Sequence, residues 1–251
     1  MSFIGLPGEA SLAFVSGYFI NIYSCIAAAD TLNLSARSVT IMAVLVMCAH
    51  NMIVETAVQK KLGSSALRIV VVRTLSGIVL AWILNKILPY EQSGEVGVST
   101  ITALPFGVMF KEWIIGVIHL IIKMLVLIYL LTVMQSILKE FGVIEKLSKF
   151  LRFPLKIFGL PQNSAFLWIV ANILGLAYGA AVMFQQMEQG NLSKKEAQLL
   201  NSHIGISHSN LEDLLLFVSI GGIWWIIILT RWVGSIILVW EERLEFYLRE
   251  R

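Results

Sequence analysis

Three ionisable positions occur twice in the chain, and their side chains could bind a ligand, transfer a proton or pair charges. The members of each pair lie 158 residues apart: His50 and His208, Glu55 and Asp213, Arg73 and Arg231. A histidine can bind a substrate, bind a metal or relay protons. An arginine inside a membrane segment is costly to bury and by default marks a functional position. The duplicated set therefore predicts a polar site within an apolar chain.

Each of these residues also has a structural interpretation. The arginines could form ion pairs that only hold helices together, and the histidines could hydrogen-bond the backbone at a helix end. A metal site has weak support from His208 and Glu212, which are four residues apart and could share a helical face. Val54 takes the place of Glu212 in the first copy, so the presence of a metal stays undecided at the level of sequence.

The predicted solute or ion pathway also includes polar neighbours of the two histidines. These neighbours are Asn51, Ser209, Asn210 and Glu212. No nucleotide-binding loop, nucleophile elbow or HExxH zinc motif occurs in the sequence. The sequence therefore predicts no catalytic residue and no cofactor, and an enzyme is not expected.

The duplicated residues belong to a longer internal repeat. Its matching segments are Gly5-Leu6-Pro7 with Gly159-Leu160-Pro161, and Asn33-Leu34-Ser35 with Asn191-Leu192-Ser193. From Asn33 and Asn191 onward the two copies run in step, 158 positions apart and without a gap. In a membrane protein, an internal repeat that keeps its polar residues points to a transporter-like core with a site where the repeats meet.

The composition places the chain in a membrane. Hydrophobic residues make up 57% of it and charged residues 14%, and a span needs roughly 20 apolar residues. The predicted spans are Leu12–Ala29, Ile69–Leu88, Trp113–Val133, Ala165–Phe184 and Gly222–Trp240. The net charge of +3 is small, so nucleic acid is not an expected partner. Cys25 and Cys48 lie in apolar sequence and are interpreted as buried, inert thiols.

Segments 35–62 and 193–220 do not have the sequence pattern of a simple membrane span. The second contains Lys194, Lys195 and Glu196, which could not face lipid. The apolar part of the first, Val39–Ala49, is only about eleven residues long and too short to cross. Each begins with a helix-start serine and ends near a glycine, Gly63 or Gly221. We predict a re-entrant helical hairpin in each copy, with the histidine at its tip and a full span after it.

This arrangement places an acid level with an arginine in each copy. Glu55 lies eight residues before Gly63 and Arg73 ten residues after it. Asp213 and Arg231 have the same relation to Gly221. At a rise of about 1.5 Å per residue, both members of a pair lie roughly 12–15 Å from the turn.

The predicted fold is an all-α polytopic membrane protein with two inverted repeats. Each repeat is a span, a re-entrant hairpin and a span, and one linker span joins the repeats. Basic residues place loops 59–67 and 139–160 in the cytoplasm, and acidic 89–100 outside. The predicted units are a first repeat (1–88), an external loop with the linker helix (89–140), a cytoplasmic amphipathic helix (141–158), a second repeat (159–241) and a cytoplasmic tail (242–251). If 35–62 and 193–220 crossed fully, the repeats would instead be parallel in a chain of seven spans.

The second copy also carries a short family resemblance. Ser207-His208-Ser209-Asn210-Leu211-Glu212-Asp213, followed by Ile220-Gly221 and Arg231, resembles the nucleoside-recognition or gate domain family of bacterial membrane proteins. That family includes the gate regions of ferrous iron transporter B, a segment related to concentrative nucleoside transporters, and spore maturation proteins A and B. The resemblance implies paired inverted gate motifs around a central pathway, and often dimers. The GTPase domain of the iron transporter and the scaffold helices of the nucleoside transporters have no counterpart here.

The sequence therefore leaves two functions of different classes as alternatives. The first is a transporter or channel-like permease for a small solute or ion, with its site at the interface of the repeats. The second is a non-transporting membrane assembly or regulatory protein of the spore-maturation type. Either would lie in the bacterial cytoplasmic (inner) membrane, with a cytoplasmic C-terminus. Lipid, an unidentified small solute or ion and a second copy of the chain are the expected partners.

Overall fold

The computed structural model describes residues 1–89, 105–249 and 251, and this part of the chain is helical without strands. Two short 3-10 turns, Ser2–Ile4 and Gln162–Ser164, precede helices in the two copies. The helices are α1 (Ala10–Phe19), α2 (Ile22–Asp30), α3 (Ala36–Ala49), α4 (Met52–Lys61), α5 (Ala66–Ile87), α6 (Phe106–Glu140), α7 (Val143–Ile157), α8 (Ala165–Ile173), α9 (Leu176–Glu188), α10 (Lys194–Ser207), α11 (Glu212–Ser219) and α12 (Trp224–Arg249).

Three of the described helices are long and apolar enough to cross a membrane, or four if the bent pair α3–α4 counts as one span. The three are α5, α6 and α12, which confirms the predicted spans in these parts of the chain. Most of α6 faces away from the protein: only 6% of its most apolar window is buried. A helix that is apolar all round and packs so little against its own chain suits a lipid environment.

The predicted spans Leu12–Ala29 and Ala165–Phe184 are wrong, because each is divided into two short helices that fold back on each other. A Cβ added at Gly17 of α1 would lie 2.8 Å from the Cβ of Cys25 in α2. In the second copy a Cβ added at Gly179 of α9 would lie 2.7 Å from that of Ala171 in α8. Residues eight apart would be about 12 Å apart in one continuous helix, so the chain reverses between them. The helical hairpins are therefore α1–α2 and α8–α9.

The segment 36–61 is likewise not the hairpin that the sequence predicted. Helices α3 and α4 meet at a bend of 42°, at a break of two residues, and the arms of a hairpin would have to reverse. Asn51 at the break has the left-handed backbone φ of 47°, which ends α3 without turning the chain around. In the second copy α10 and α11 also make few contacts with each other, so His50 and His208 lie at helix breaks rather than at hairpin tips.

The two copies repeat in three dimensions as they do in sequence. Helices α3 and α10 are both 14 residues long, and they begin 158 residues apart. The starts of the longer helices α5 and α12 are also 158 residues apart. The left-handed residue of each break is also matched, since Asn51 has a φ of 47° and Ser209 a φ of 53°. Gly63 and Gly221, with φ of 94° and 104°, make the turns that precede the long helices. Each copy therefore consists of a hairpin, a broken helix and a long helix.

The broken and long helices of the two copies form the centre of the molecule. Helix α3 packs against both α5 and α12, and α10 packs against both α12 and α5. The start of α3 lies beside the start of α12, where the amide of Ile223 donates to Thr40 Oγ1 at 3.0 Å. The start of α10 lies beside the end of α12, where Gln198 Nε2 donates to Glu242 Oε1. Each broken helix therefore contacts the other copy along its length.

The segment predicted as an amphipathic surface helix forms α7, whose Ile144 and Leu155 are buried while Phe150 and Phe153 are exposed. It leads from α6 to the second copy. The external loop predicted at 89–100 lies, apart from its first residue, outside the described residues.

Candidate functional site

Four ionisable side chains from both copies meet at the centre of the molecule. His50 Nε2 lies 3.0 Å from Glu55 Oε1 and 3.3 Å from Asp213 Oδ2. His208 Nε2 lies 3.3 Å from both carboxylate oxygens of Glu55. The two imidazole rings are 5.0 Å apart between centroids. All four residues are less than 9% exposed, so the duplicated residues form one cluster rather than two separate sites.

The helix breaks position the two histidines. His50 follows the last residue of α3 and His208 follows the last residue of α10, and both have extended backbone with ψ of 163° and 173°. The left-handed residue that comes next starts the following helix in a new direction. Glu55 and Asp213 lie in the first turn of that helix, so each break brings a histidine and an acid to the centre.

Arginines of the long helices bind the backbone of the breaks. Arg73 Nε donates to Cys48 O at 2.9 Å, and its Nη2 donates to His50 O at 3.1 Å. An interrupted helix leaves carbonyl groups without a partner, and such groups are costly at membrane depth. The arginine satisfies two of them and fixes the histidine backbone to the long helix.

The second copy has the same two bonds. Arg231 Nε donates to Ile206 O at 2.7 Å, and its Nη2 donates to His208 O at 2.7 Å. Ile206 and His208 lie 158 residues after Cys48 and His50. The repeat therefore extends to individual atoms at the break.

The acid–arginine pairs differ between the copies. Arg73 Nη2 lies 2.6 Å from Glu55 Oε2, which is the contact that the spacing around Gly63 predicted. Arg231 instead donates from Nη1 to Asn210 Oδ1 at 2.8 Å. Arg231 and Asp213, both of which the structure describes, form no direct salt bridge with each other. Asp213 is thus the less neutralised of the two central carboxylates.

The hairpins support the breaks from the other side. The amide of Asn51 donates to the carbonyl of Gly17 at 2.9 Å, and that of Ser209 donates to the carbonyl of Ala171 at 3.2 Å. Gly17 and Ala171 are the residues at which the hairpin arms touch. Asn210 Nδ2 also donates to Asn172 Oδ1 at 2.6 Å. Each break is therefore held between a hairpin and an arginine.

The orientation of the two imidazoles follows from their backbone partners. Nδ1 of His208 lies 2.7 Å from the carbonyl oxygen of Ile204, and Nδ1 of His50 lies 3.3 Å from that of Val46. A carbonyl oxygen can only accept, so Nδ1 carries the hydrogen in both rings. Both Nε2 atoms face the carboxylates. Three buried polar atoms of the site have no hydrogen-bond partner: Arg73 Nη1, Asp213 Oδ2 and Glu55 Oε2, the last of which meets Arg73 only as an ion pair.

A polar cavity of about 300 Å³ leads to Arg73 from one end of the molecule. Both copies line it, with Gln59 and Arg68 from the first and Asn201, Ser202 and Gly205 from the second. Three glutamates of α12, Glu241, Glu242 and Glu245, lie along it. Arg68 Nη1 forms a 2.6 Å ion pair with Glu245 Oε2 there, which joins the two long helices.

The corresponding positions at the other end are apolar and closed. The residues 158 positions away from five cavity-lining residues are Phe217 for Gln59, Ile226 for Arg68, Ala43 for Asn201, Val44 for Ser202 and Met47 for Gly205. All of these counterparts are buried in one hydrophobic cluster. The polar cavity thus reaches Arg73 beside the cluster, whereas side-chain packing closes the equivalent positions of the other copy.

Most of the predicted site residues come together, and Glu212 does not. Tyr23 Oη donates to Glu212 Oε1, away from the central cluster, so the predicted His208–Glu212 pair is not formed as a ligand pair. Asn51 and Ser209 are the left-handed residues of the two breaks, and Asn210 bonds both Asn172 and Arg231. His203, whose counterpart in the first copy is Leu45, bonds Trp168, Ser207 and Ser235.

Sequence reasoning missed the cavity and the hairpin contacts. Gln59, Asn201 and Ser202 are uncharged and lie outside any motif, so nothing marks them in one sequence. The backbone carbonyls of Gly17 and Ala171 carry no side-chain signal at all. Arg68 and Glu242 gave a weak signal, since each is a charge at the end of an apolar span.

The chain is similar to the uncharacterized membrane protein YvoD of Bacillus subtilis (strain 168). The two are 28% identical over 242 residues, which cover 95% of this chain and 78% of that relative. No family model and no solved structure matches the chain. The similarity and the three long apolar helices agree in making this a membrane protein.

Proposed function

We propose that the chain is a transporter or channel-like permease for a small solute or ion, with its site where two inverted repeats meet. The observation that carries the proposal is the meeting of His50, Glu55, His208 and Asp213 at two helix breaks. Broken helices that cross at a polar centre are a recurring way to build a transport site in a membrane. Non-helical backbone is tolerated there because it is buried in protein or lines a cavity.

The contacts of the broken helices support the inversion. Helix α3 begins beside the start of α12, through Thr40 and Ile223, whereas α10 begins beside the end of α12, through Gln198 and Glu242. Corresponding helices of the two copies therefore start at opposite ends of the same long helix. If the bent pair α3–α4 crosses the membrane once, then with α5 and α6 it makes three crossings between the starts of the two copies, and an odd number of crossings likewise inverts the second copy.

The one-sided cavity supports alternating access. Inverted repeats can exchange conformations, so that the first copy adopts the arrangement of the second and the open end changes sides. The polar cavity beside Gln59 and Ser202 would close as the apolar cluster around Val44 and Met47 opened. The central cluster would then face first one side of the membrane and then the other.

The orientation follows from charge. The cavity opens at the end that carries Lys60 and Lys61, which the distribution of basic residues places in the cytoplasm. We therefore infer a protein of the bacterial cytoplasmic membrane with its C-terminus inside. The resemblance of residues 207–213 to gate domains supports the same arrangement of two motifs around one pathway. Neither the nucleoside nor the iron substrate of that family is carried over.

Cysteine accessibility tests the proposal without knowledge of the solute. In a chain whose Cys25 and Cys48 are replaced by alanine, Ser202→Cys and Val44→Cys form a matched pair at equivalent positions of the two copies. Membrane vesicles of both orientations are treated with a small membrane-impermeant thiol reagent. We expect rapid labelling of S202C from the cytoplasmic face and slower labelling of V44C from the opposite face.

The unmodified chain supplies the control, because its buried Cys48 lies outside the cavity lining. If V44C labels from neither face while S202C labels from one, the molecule does not open at both ends. A non-transporting assembly protein would then be the better description.

A further inference from the structure

Three side chains of the central cluster are arranged as ligands of one ion. One ligand atom each from His50, Glu55 and His208 lies within 4.8 Å of the other two. His50 and Glu55 come from the first copy and His208 from the second. An ion among these atoms would therefore join the two copies at their helix breaks.

The distances suit a tetrahedral ion. Ligands at 2.0–2.1 Å from zinc in tetrahedral geometry lie about 3.3 Å from one another. The separation is 3.0 Å between His50 Nε2 and Glu55 Oε1, and 3.3 Å between His208 Nε2 and Glu55 Oε1. The remaining pair, the two Nε2 atoms, is within 4.8 Å and would close by a small rotation of the rings.

The hydrogen bonds of the imidazoles favour an ion at this point. Because Nδ1 of each neutral ring donates to a backbone carbonyl, Nε2 presents a lone pair. Those lone pairs face electron-rich oxygens of Glu55, so each nitrogen–oxygen contact requires either a proton or a metal cation between the two atoms. A ring nitrogen held by a carbonyl while the other faces the centre is the usual way in which a protein orients a metal-binding histidine.

The ligand set indicates the class of ion. Two imidazoles and one carboxylate suit zinc and neighbouring divalent transition metals, whereas magnesium and calcium prefer oxygen ligands alone. Three protein ligands leave a fourth position open, as in sites where a ligand exchanges. Asp213 Oδ2 lies 3.3 Å from His50 Nε2 and has no hydrogen-bond partner, so it stands ready to accept a hydrogen bond from a metal-bound water.

We propose that His50, Glu55 and His208 bind one divalent transition-metal ion of the zinc class between the two copies. This inference uses the cluster of the proposed function but does not require that the ion be transported. Arg73 holds the other oxygen of Glu55 and keeps the carboxylate in place. Glutamates along the cavity would attract a cation toward the site.

Metal titration of the purified full-length chain tests the inference. Protein stripped with a chelator is titrated with Zn²⁺ by calorimetry, and with Co²⁺ by visible absorption, which is intense for tetrahedral coordination. We expect one ion per chain, a tetrahedral Co²⁺ spectrum and no binding of Mg²⁺ at equal concentration. Zn²⁺ should also raise the unfolding temperature, because it binds the native state.

His208→Gln and Glu55→Gln should weaken Zn²⁺ binding by more than the roughly 100-fold that changes outside the ligand shell can cost. His119→Gln, on the exposed α6, is the matched control and should bind as the unaltered chain does. Absence of one-to-one binding by the unaltered chain overturns the inference, whether or not the variants fold. The cysteine experiment would then still stand, since labelling of S202C and V44C needs no metal.

Discussion

Arg73 and Arg231 make the same pair of hydrogen bonds in the two copies, each to the histidine carbonyl and to the carbonyl two residues before it. The two arginines therefore have a structural role that is independent of any solute. They satisfy the backbone at the breaks and so allow the histidines to face inward. Only Arg73 also binds a carboxylate directly.

Replacing either arginine by lysine should destabilise the protein. A lysine ammonium lacks the planar fork that reaches two carbonyls at once, and each buried carbonyl left without a donor costs about 1–3 kcal/mol. We expect R73K and R231K to lower the unfolding temperature in detergent clearly. R152K, at an exposed position of α7, is the control and should leave it unchanged. Equal unfolding temperatures for all three variants would show that the breaks do not depend on the arginines.

Exchanging Glu55 and Arg73 should also destabilise the protein. A glutamate at position 73 would place a carboxylate against the carbonyls of Cys48 and His50, which can only accept hydrogen bonds. We expect the exchange E55R/R73E to unfold at a lower temperature than E55Q alone. If the exchange unfolded at the temperature of the unaltered chain, an ion pair would be the whole role of Arg73. Tolerance of this exchange therefore cannot serve as a test of transport.

The hairpin contact at Gly17 can be tested by a substitution and its rescue. G17A would bring a methyl group to 2.8 Å from the Cβ of Cys25, and overpacking of this kind costs about 1–3 kcal/mol. The second copy has the reverse arrangement, alanine at 171 and glycine at 179. We therefore expect G17A to lower the unfolding temperature and G17A/C25G to restore most of the loss.

Gly8→Ala is the control for this prediction, because no atom lies within 4 Å of a Cβ at that glycine. If G17A and G8A behave alike, α1 and α2 do not pack as a hairpin. The predicted span Leu12–Ala29 would then have to be considered again.

The cavity can be filled by replacing a lining residue with the larger residue that the other copy has at the equivalent position. Gly205 lines the cavity, and its counterpart in the first copy is the buried Met47. We expect G205M to slow the labelling of S202C from the cytoplasmic face at least tenfold, since a methionine would fill the space beside Gln59. Gly116→Met on α6, where a Cβ would meet nothing, is the control. Unchanged labelling in G205M would mean that the reagent reaches position 202 by another route.

The sequence predicted the correspondence between residues of the two copies better than it predicted the helices that carry them. The 158-residue offset, the turn at Gly63 and the pairing of Glu55 with Arg73 all appear in the structure, because each depends on residue types that are rare in apolar segments. The long spans were found for a similar reason, since length and hydropathy alone define them.

The sequence assigned the first two parts of each copy the wrong way round: the predicted span is a hairpin, and the predicted hairpin is a broken helix. Nothing in the sequence alone distinguished the two. Leu12–Ala29 is long enough to span, and its reversal at Ile20 and Asn21 depends on the close contact of Gly17 with Cys25. Polar residues in α10 suggested a hairpin, but Gln198, Asn201 and Ser202 line the cavity, and the exposed Lys194 and Lys195 lie in the first turn of the helix. Periodicity and length describe one helix at a time. The reversal between α1 and α2 and the environment of α10 both depend on neighbouring helices.

The meeting of the two histidines also required the tertiary structure. Residues 50 and 208 were matched as copies, but only the packing of the broken helices against both α5 and α12 brings their rings within 5.0 Å. A metal pair was considered within one helix, at His208 and Glu212. The ligand set lies instead across the two copies, where sequence spacing gives no indication.

A locked form of the protein tests alternating access most directly. Arg68 of α5 and Glu245 of α12 are joined by an ion pair at the cavity, so cysteines at these positions can be bridged by a short bifunctional reagent. The bridge holds the two long helices in the arrangement that opens the cavity and seals the opposite end.

The decisive measurement is the labelling rate of V44C from the opposite face, before and after the bridge forms in R68C/E245C. Repeats that exchange conformations predict that the bridge stops labelling of V44C, while S202C in the same background still labels from the cytoplasmic face. If V44C labels equally fast with the bridge in place, the opening at that end is independent of the cavity. That result would contradict the exchange between two inverted repeats.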